Sequence, residues 1–547
     1  MMRRKKIWAV GWIAAFAVAA AAGCAAAGNK SEDRHAVTQE TEENTAGDGT
    51  VSGEPAAEPE HKEPVVSTVR VTAVEGTMIT AEPGMLSAAD GTGFTGSGGS
   101  MRFEVTDDTA ITVEYPRGSA EGNLGDLVLG SVLKVTAAAD GTAEAVTVKY
   151  LDDGQNFGGN VPVNGTAAVT LDTDGEIEGQ TYTCDGDDEN ALRADGASVS
   201  LLNITVNKTG GASSDAAAGE LYGQNAGFLA LNGAQVTLAN AVIDTDAANG
   251  TGVFGYGDGT AVAIADSTIR TAGEDSGGIQ AADAAAVTAV NLDVETQGSA
   301  SAAIRGSGGT IRAEGGSFVT NGDGSPAVRC AADISVSGAV LRADAGAGAL
   351  IEGNGSLALT DCDVTGNMNR ADGEDFDGKL GCILICGSRY GDTNPGTAVF
   401  AAEGGSITSQ SGDMFYVRDT GCEIYLKDVD VTLINDIFLR IEGSDFGRDR
   451  GSADTGGQSV TLTAEAQELS GNIFVDEMSG LALTMKDGTV YNGAINPGRA
   501  GGRVHVIMDK TSVWTLTADT YINGFEGDMG DVNANGYHLY VGGEEVL

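Results

Sequence analysis

The stretch from Gly252 to Gly366 repeats one pattern five times with small variations, beginning GVFGYGDGTAVAIADSTIRTAGEDS and then GGIQAADAAAVTAVNLDVETQGSAS. Each copy runs a short apolar alternation, a Gly or Asp turn, a second alternation, a third one ending on a large aliphatic residue, and a small polar loop. Aligned on that last residue, the copies give a column of Ile243, Ile269, Val294, Phe318, Leu341 and Val364, with steps of 26, 25, 24, 23 and 23 residues. A near-constant period of this size means a solenoid, in which a repeat buries its apolar face only by stacking on its neighbours.

Residue types decide which solenoid. A leucine-rich repeat needs a fixed Leu ladder with an Asn at constant offset, and a helical repeat needs apolar residues three and four apart over long runs. Here the alternation is two-fold, as in Val262 and Ile264, Ile334 and Val336, or Leu357 and Leu359, and Gly or Asp breaks each run after about four residues. Three short strands per turn give an all-β chain, a right-handed parallel β-helix, the handedness being the default of the class. The 82 Gly fit it, because tight corners need positive φ. About a dozen coils at roughly 4.8 Å each make a rod on the order of 60 Å long. Phe318 is expected to point into its lumen and Thr320 outward.

The chain ahead of the solenoid divides into three parts. Residues 1–23 read as a signal peptide: Arg3, Arg4, Lys5 and Lys6, an apolar run from Ile7 to Ala22, then Gly23 before Cys24. Cys24 in that place makes the segment similar to a bacterial lipoprotein signal, with Cys24 lipidated as the new N-terminus; Ala21 stands where Leu is usual, which leaves plain secretion or an uncleaved anchor open. The expected location is the outer face of the cell membrane. Residues 24–65 are rich in Ser, Glu, Asp, Thr and Gly without apolar periodicity and are expected to be a disordered acidic tether. Residues 66–151 alternate over about five strands, a small β-barrel or sandwich module with a weak similarity to OB-like barrels. A basic groove and stacking aromatics are missing from it, so it reads as a spacer or cap rather than a nucleic-acid binder.

The β-helix is expected over 160–547. Val206 joins the column 37 residues before Ile243, so a loop, KTGGASSDAAAGELYG, is inserted there. Longer insertions follow Val364, before Ile407, and follow Val431. Insertions at fixed corners project on one side, commonly the binding side. The C-terminal segment gathers Trp514, Tyr521, Phe525, Tyr537 and Tyr540, expected to cap the open end of the lumen.

The coil pattern, the segment GGSITSQSGDMFYV and the ending SVWTLTADTYINGF with NGYHLYVGG resemble the adhesin-like β-helix surface proteins of anaerobic, mainly Gram-positive bacteria, within the pectin-lyase-like superfamily. The resemblance covers about residues 160–547. It implies an exported β-helix and no particular activity, since that superfamily holds lyases, glycosidases and non-enzymatic adhesins.

Catalytic residues are not assigned. The four His, at 35, 61, 505 and 538, include no G-H-G motif of the polygalacturonase kind. Asp361 and Asp363 lie on one face of a strand and have the spacing of an acid and base pair, but isolated Asp pairs are common in a chain with 78 acidic residues. Arg418, Arg440 and Lys427, near Asp419 and Asp428, keep a Ca²⁺-dependent polysaccharide lyase open as an alternative. A formal charge of −47 repels polyuronate and nucleic acid over a Debye length of about 8 Å. Asp372, Glu374, Asp375 and Asp377 crowd hard oxygen donors into the loop RADGEDFD and form a candidate Ca²⁺ site, with a solvated acidic loop as the other reading. Asp445, Asp449 and Asp454 make a weaker one. Six Cys follow Cys24; their pairing is not readable, and Cys362 is expected to face the lumen. The functional expectation is a non-enzymatic surface rod that binds a glycan or a host or matrix protein through projecting loops, with a purely structural stalk as a third reading.

Overall fold

The computed structural model describes residues 65–149 apart from 76, 87–93, 98, 107–108, 116–117, 122–126, 128–130 and 139–141, and residues 164–547 apart from 370–378, 388–396, 444–458 and 500. Cys24, the tether, Asp372, Glu374, Asp375, Asp377 and the acidic loop at Asp445, Asp449 and Asp454 lie outside the described residues.

Residues 65–149 form an eight-stranded sheet, more than the five strands their alternation suggests. Val65–Glu75 is flanked by Met78–Leu86 and Val132–Ala137, both antiparallel to it. Ala143–Lys149 follows and pairs in parallel with Ala110–Tyr115. The module closes on its own core of Val69, Ile79, Phe103, Leu133, Val135 and Val146.

From Thr166 onward the chain is a parallel β-helix. One coil shows the plan: Phe228–Leu231 on a first face, Gln235–Ala239 on a second, Val242–Thr245 on a third. The next coil lays Val253–Tyr256, Ala261–Ala265 and Thr268–Thr271 on them in parallel register. First and second faces join in one 24-stranded ladder, and the third is a separate ladder of 10 strands continued by one of four. Val206, Ile243, Ile269, Val294, Phe318, Leu341, Val364, Ile407 and Val431 are register partners in unbroken succession. All but Val431 are at most 1 % exposed. Each such side chain, fully buried, contributes about 2–3 kcal/mol.

The corner between second and third faces explains the recurrent Asn, Asp and Gly. Three residues ahead of each column member the backbone turns left-handed, with φ of 49–54° at Asn203, Asn240, Asp266, Asn291, Asp361 and Asp428. Gly315, Gly338 and Gly404 hold the same place. These residue types tolerate that conformation at least cost. Asp361 therefore belongs to a corner, while Asp363 begins the strand Asp363–Gly366, so the two carboxylates do not share a strand face.

Thr320 is a correction to the sequence reading. Residues two apart on a strand point the same way, so Thr320 follows Phe318 inward and is fully buried. Its hydroxyl is satisfied inside: Thr245, Thr271, Thr296 and Thr320 donate to the carbonyls of Gly250, Ser276, Ser301 and Ser325 at 2.6–2.7 Å. Beside them the hydroxyls of Ser276, Ser301 and Ser325 accept from the backbone N–H of Gly250, Ser276 and Ser301. Polar ladders thus line one corner of an otherwise apolar lumen.

All six cysteines after Cys24 are buried and unbridged, Cys362 among them. At the C-terminal end Trp514 is fully buried, stacks on Tyr491 at 5.7 Å and donates Nε1–H to the carbonyl of Gly493 at 3.0 Å. Tyr521 and Tyr540 instead stack on each other at 4.7 Å, half-buried, and Tyr537 is exposed. Capping is the work of Trp514, Leu516, Ile522 and Leu539.

Candidate functional site

Every long interruption of the coil step borders the first face. Residues 209–227 and 367–380 join the third face to the first, between Thr205–Lys208 and Phe228–Leu231 and between Asp363–Gly366 and Gly381–Cys386. Residues 387–397 and 443–458 join the first face to the second, after Gly381–Cys386 and after Ile437–Glu442. The first face is consequently flanked on both sides, and its outward column, from Arg193 through Leu229, Phe254, Gln280, Arg305, Arg329, Leu350, Leu384 and Tyr416 to Arg440, is largely withdrawn from solvent.

The first insertion carries helix α1, Ala216–Tyr222, where the sequence suggests only a loop. Asp215 caps it by accepting from the N–H of Ala217 and Ala218, and Gly223 ends it at φ 68°. Those caps around an Ala-rich turn are a readable signal, but seven residues are too few for a helical period. The segment lies over the outward column of later coils. Leu229, Leu231 and Phe254 pack in a small cluster with Tyr256, and Tyr222 meets the Tyr256 ring edge-on at 5.4 Å. Glu220 is the polar end of this cover. Its carboxylate Oε1 lies 2.9 Å from Arg329 Nη1 and 3.6 Å from Arg305 Nη1, and its backbone carbonyl accepts from Gln280 Nε2 at 2.6 Å. Arg329 Nε donates to Glu352 at 2.6 Å. Arg305 is 1 % exposed and donates Nη2–H to the carbonyl of Ala300. Burial raises the carboxyl of nearby Asp275, with Arg305 opposing and Glu220 and Glu274 adding to it.

Further along, the same face holds a second network. Arg440 Nε donates to Asp413 at 2.6 Å and its Nη1 lies 3.6 Å from Glu442. Asn435 donates to the other oxygen of Asp413 at 3.1 Å. Glu442 accepts from Lys379 Nζ at 2.6 Å and from the Tyr416 hydroxyl at 3.0 Å. Arg418 Nε stands 3.3 Å from Asp419. The structure thus brings Arg418 and Arg440 to one face on adjacent coils.

Lys427 is elsewhere. It ends the second-face strand Cys422–Lys427 and pairs with Glu403 at 2.9 Å and Glu465 at 3.6 Å. Glu403 raises its ammonium, the reverse of what a proton-abstracting base needs. Arg440 is paired with two carboxylates, Asp413 and Glu442. His505 and His538 sit on exposed pairs with Glu526 and Glu545. No group of three His, Cys, Asp or Glu among the described residues is placed to hold a metal ion.

No protein-family model, curated protein or solved structure matches the chain.

Proposed function

We propose that this is a non-enzymatic, lipid-anchored rod of the bacterial cell surface that holds a glycan or a matrix or host protein on its first face. The observation that carries the reading is the confinement of all four long insertions to the two edges of that one face. A solenoid that only separated two points would have no reason to lengthen its coils on one side. The floor between the insertions is largely buried, so a ligand would be held by the insertions themselves together with the partly exposed Lys379, Arg440 and Glu442 beside them. The test compares the whole protein with a variant whose 388–396 and 444–458 segments are shortened, on a panel of glycans and matrix proteins. Loss of a wild-type interaction supports the reading; undiminished binding by the shortened rod removes the loops from it.

Anchoring is proposed through Cys24, with the acidic residues after it as a tether. Cys24→Ser should abolish lipid labelling, and labelling that persists in this variant rejects Cys24 as the anchor. A Ca²⁺-dependent lyase is the second reading, resting on Arg418 and Arg440 and on the candidate cation loop at Asp372, Glu374, Asp375 and Asp377. Absorbance from unsaturated products on a uronate panel with calcium present decides it.

A further inference from the structure

The third face carries a feature separate from the insertions. An open cleft of about 380 Å³ follows the edge of four consecutive coils, where the strands Thr205–Lys208, Val242–Thr245, Thr268–Thr271 and Asp293–Thr296 leave the face. Its volume lies in the range of small-ligand sites. Two polar columns line it. Asn207, Asp244, Arg270 and Glu295 are register partners on successive coils, and Thr209, Asp246 and Gln297 stand two residues further along their own coils. Polar groups therefore recur along the rod at roughly 4.8 Å, close to the advance of one sugar in an extended β-linked chain.

Charge narrows the class. Arg270 is answered by Asp244 at 3.6 Å, both about half exposed. Lys208, also in the lining, is fully buried and donates from its Nζ to the carbonyl of Gly186 at 2.8 Å. The Oε1 of Glu295 accepts from Gln297 and Asn321, which fixes the carboxylate in place. Three carboxylates, Asp244, Asp246 and Glu295, thus face two cations, Lys208 and Arg270, which leaves the lining net negative on a chain of formal charge −47. A polyanion is disfavoured there, and an amine is favoured.

We propose that this cleft docks a linear, β-linked oligosaccharide bearing free amino groups, aligned with the rod axis, with Asp246 and Glu295 receiving its ammonium groups and Asn207, Thr209 and Gln297 its hydroxyls. The site is independent of the first-face reading, whose shortened variants leave it intact.

Titration calorimetry of the full chain with a β-linked glucosamine oligomer, its N-acetylated counterpart and a uronate oligomer is the test. The glucosamine oligomer should bind, the other two at least tenfold more weakly, and Asp246→Asn and Glu295→Gln should each weaken binding about tenfold. Glu423→Gln, an exposed carboxylate on the second face, is the control for general attraction between an acidic protein and a polycation. Equal binding of the acetylated and free-amine oligomers overturns the proposal. So does no binding at all, or a loss in Glu423→Gln as large as in Asp246→Asn.

Discussion

Phe318 and Thr320 share one strand and one direction, yet they stabilise the lumen by different means. Phe318 fills apolar space between Val294 and Leu341, so Phe318→Ala should cost about 3–5 kcal/mol from lost burial and the cavity left behind. Thr320→Val keeps the shape and deletes the hydroxyl that donates to Ser325, and should cost about 1–2 kcal/mol. Val319, between them on the outer column, should tolerate Thr within about 0.5 kcal/mol. Chemical denaturation ranks the three, and a costly Val319→Thr beside a silent Thr320→Val would reverse the assigned directions. The column itself was legible because large aliphatic residues recur at a near-constant step. The direction of Thr320 was not, because a hydroxyl reads as a surface group until its internal acceptor, five residues on, is seen. Ala466 is the exception among the corners between second and third faces: it is exposed and sits at φ 49° where its counterparts are Asn, Asp or Gly. Ala466→Gly should raise stability by about 1 kcal/mol, the left-handed cost to Ala outweighing the added chain entropy. A lower melting temperature in that variant would mean the corner is not strained.

At the scale of elements, α1 is held by ion pairs and a hydrogen bond to coils far away in sequence, and this is why its docking escaped the sequence. Glu220 and Arg329 are separated by 109 positions, and no local pattern joins them. That some coils carry insertions was legible from interrupted steps alone; the face they border, the ion pairs on its floor, and the removal of Lys427 to another face were not. Asp275 offers a test of this covered region. Its folded-state carboxyl is raised, so the native state holds its proton more tightly than the unfolded chain does. The stability it contributes is complete below the unfolded value of about 4 and is lost as pH rises through the folded one. Asp275→Asn should therefore be more stable than wild type at neutral pH, with the advantage shrinking as pH falls toward 4. Asn also suits the left-handed backbone there, φ 51°. An advantage that grows on acidification would give Asp275 the opposite sign and make it a stabilising partner of Arg305.

For the whole β-helix the governing fact is that coils touch mainly their neighbours. Parallel ladders pair each coil with the next, and the longest bridge across coils among the described contacts near mid-rod is the one from Glu220 to Arg305 and Arg329. Stability is then close to a sum of coil and interface contributions, and damage should stay where it is made. Phe318→Ala should speed amide exchange around residues 290–345, whose strands stack directly on its own. Coils from Ser406–Ser409 to Val513–Thr515 should keep their protection, since the Trp514 and Tyr491 stack closes that end independently. The N-terminal coils divide the possibilities further. If α1 couples them to mid-rod through Glu220, exchange should also quicken at Leu229 and Phe254, though less than at Val294 or Leu341. Uniform loss of protection from one end to the other would mean that the rod unfolds as a single cooperative block and that nearest-neighbour additivity does not describe it.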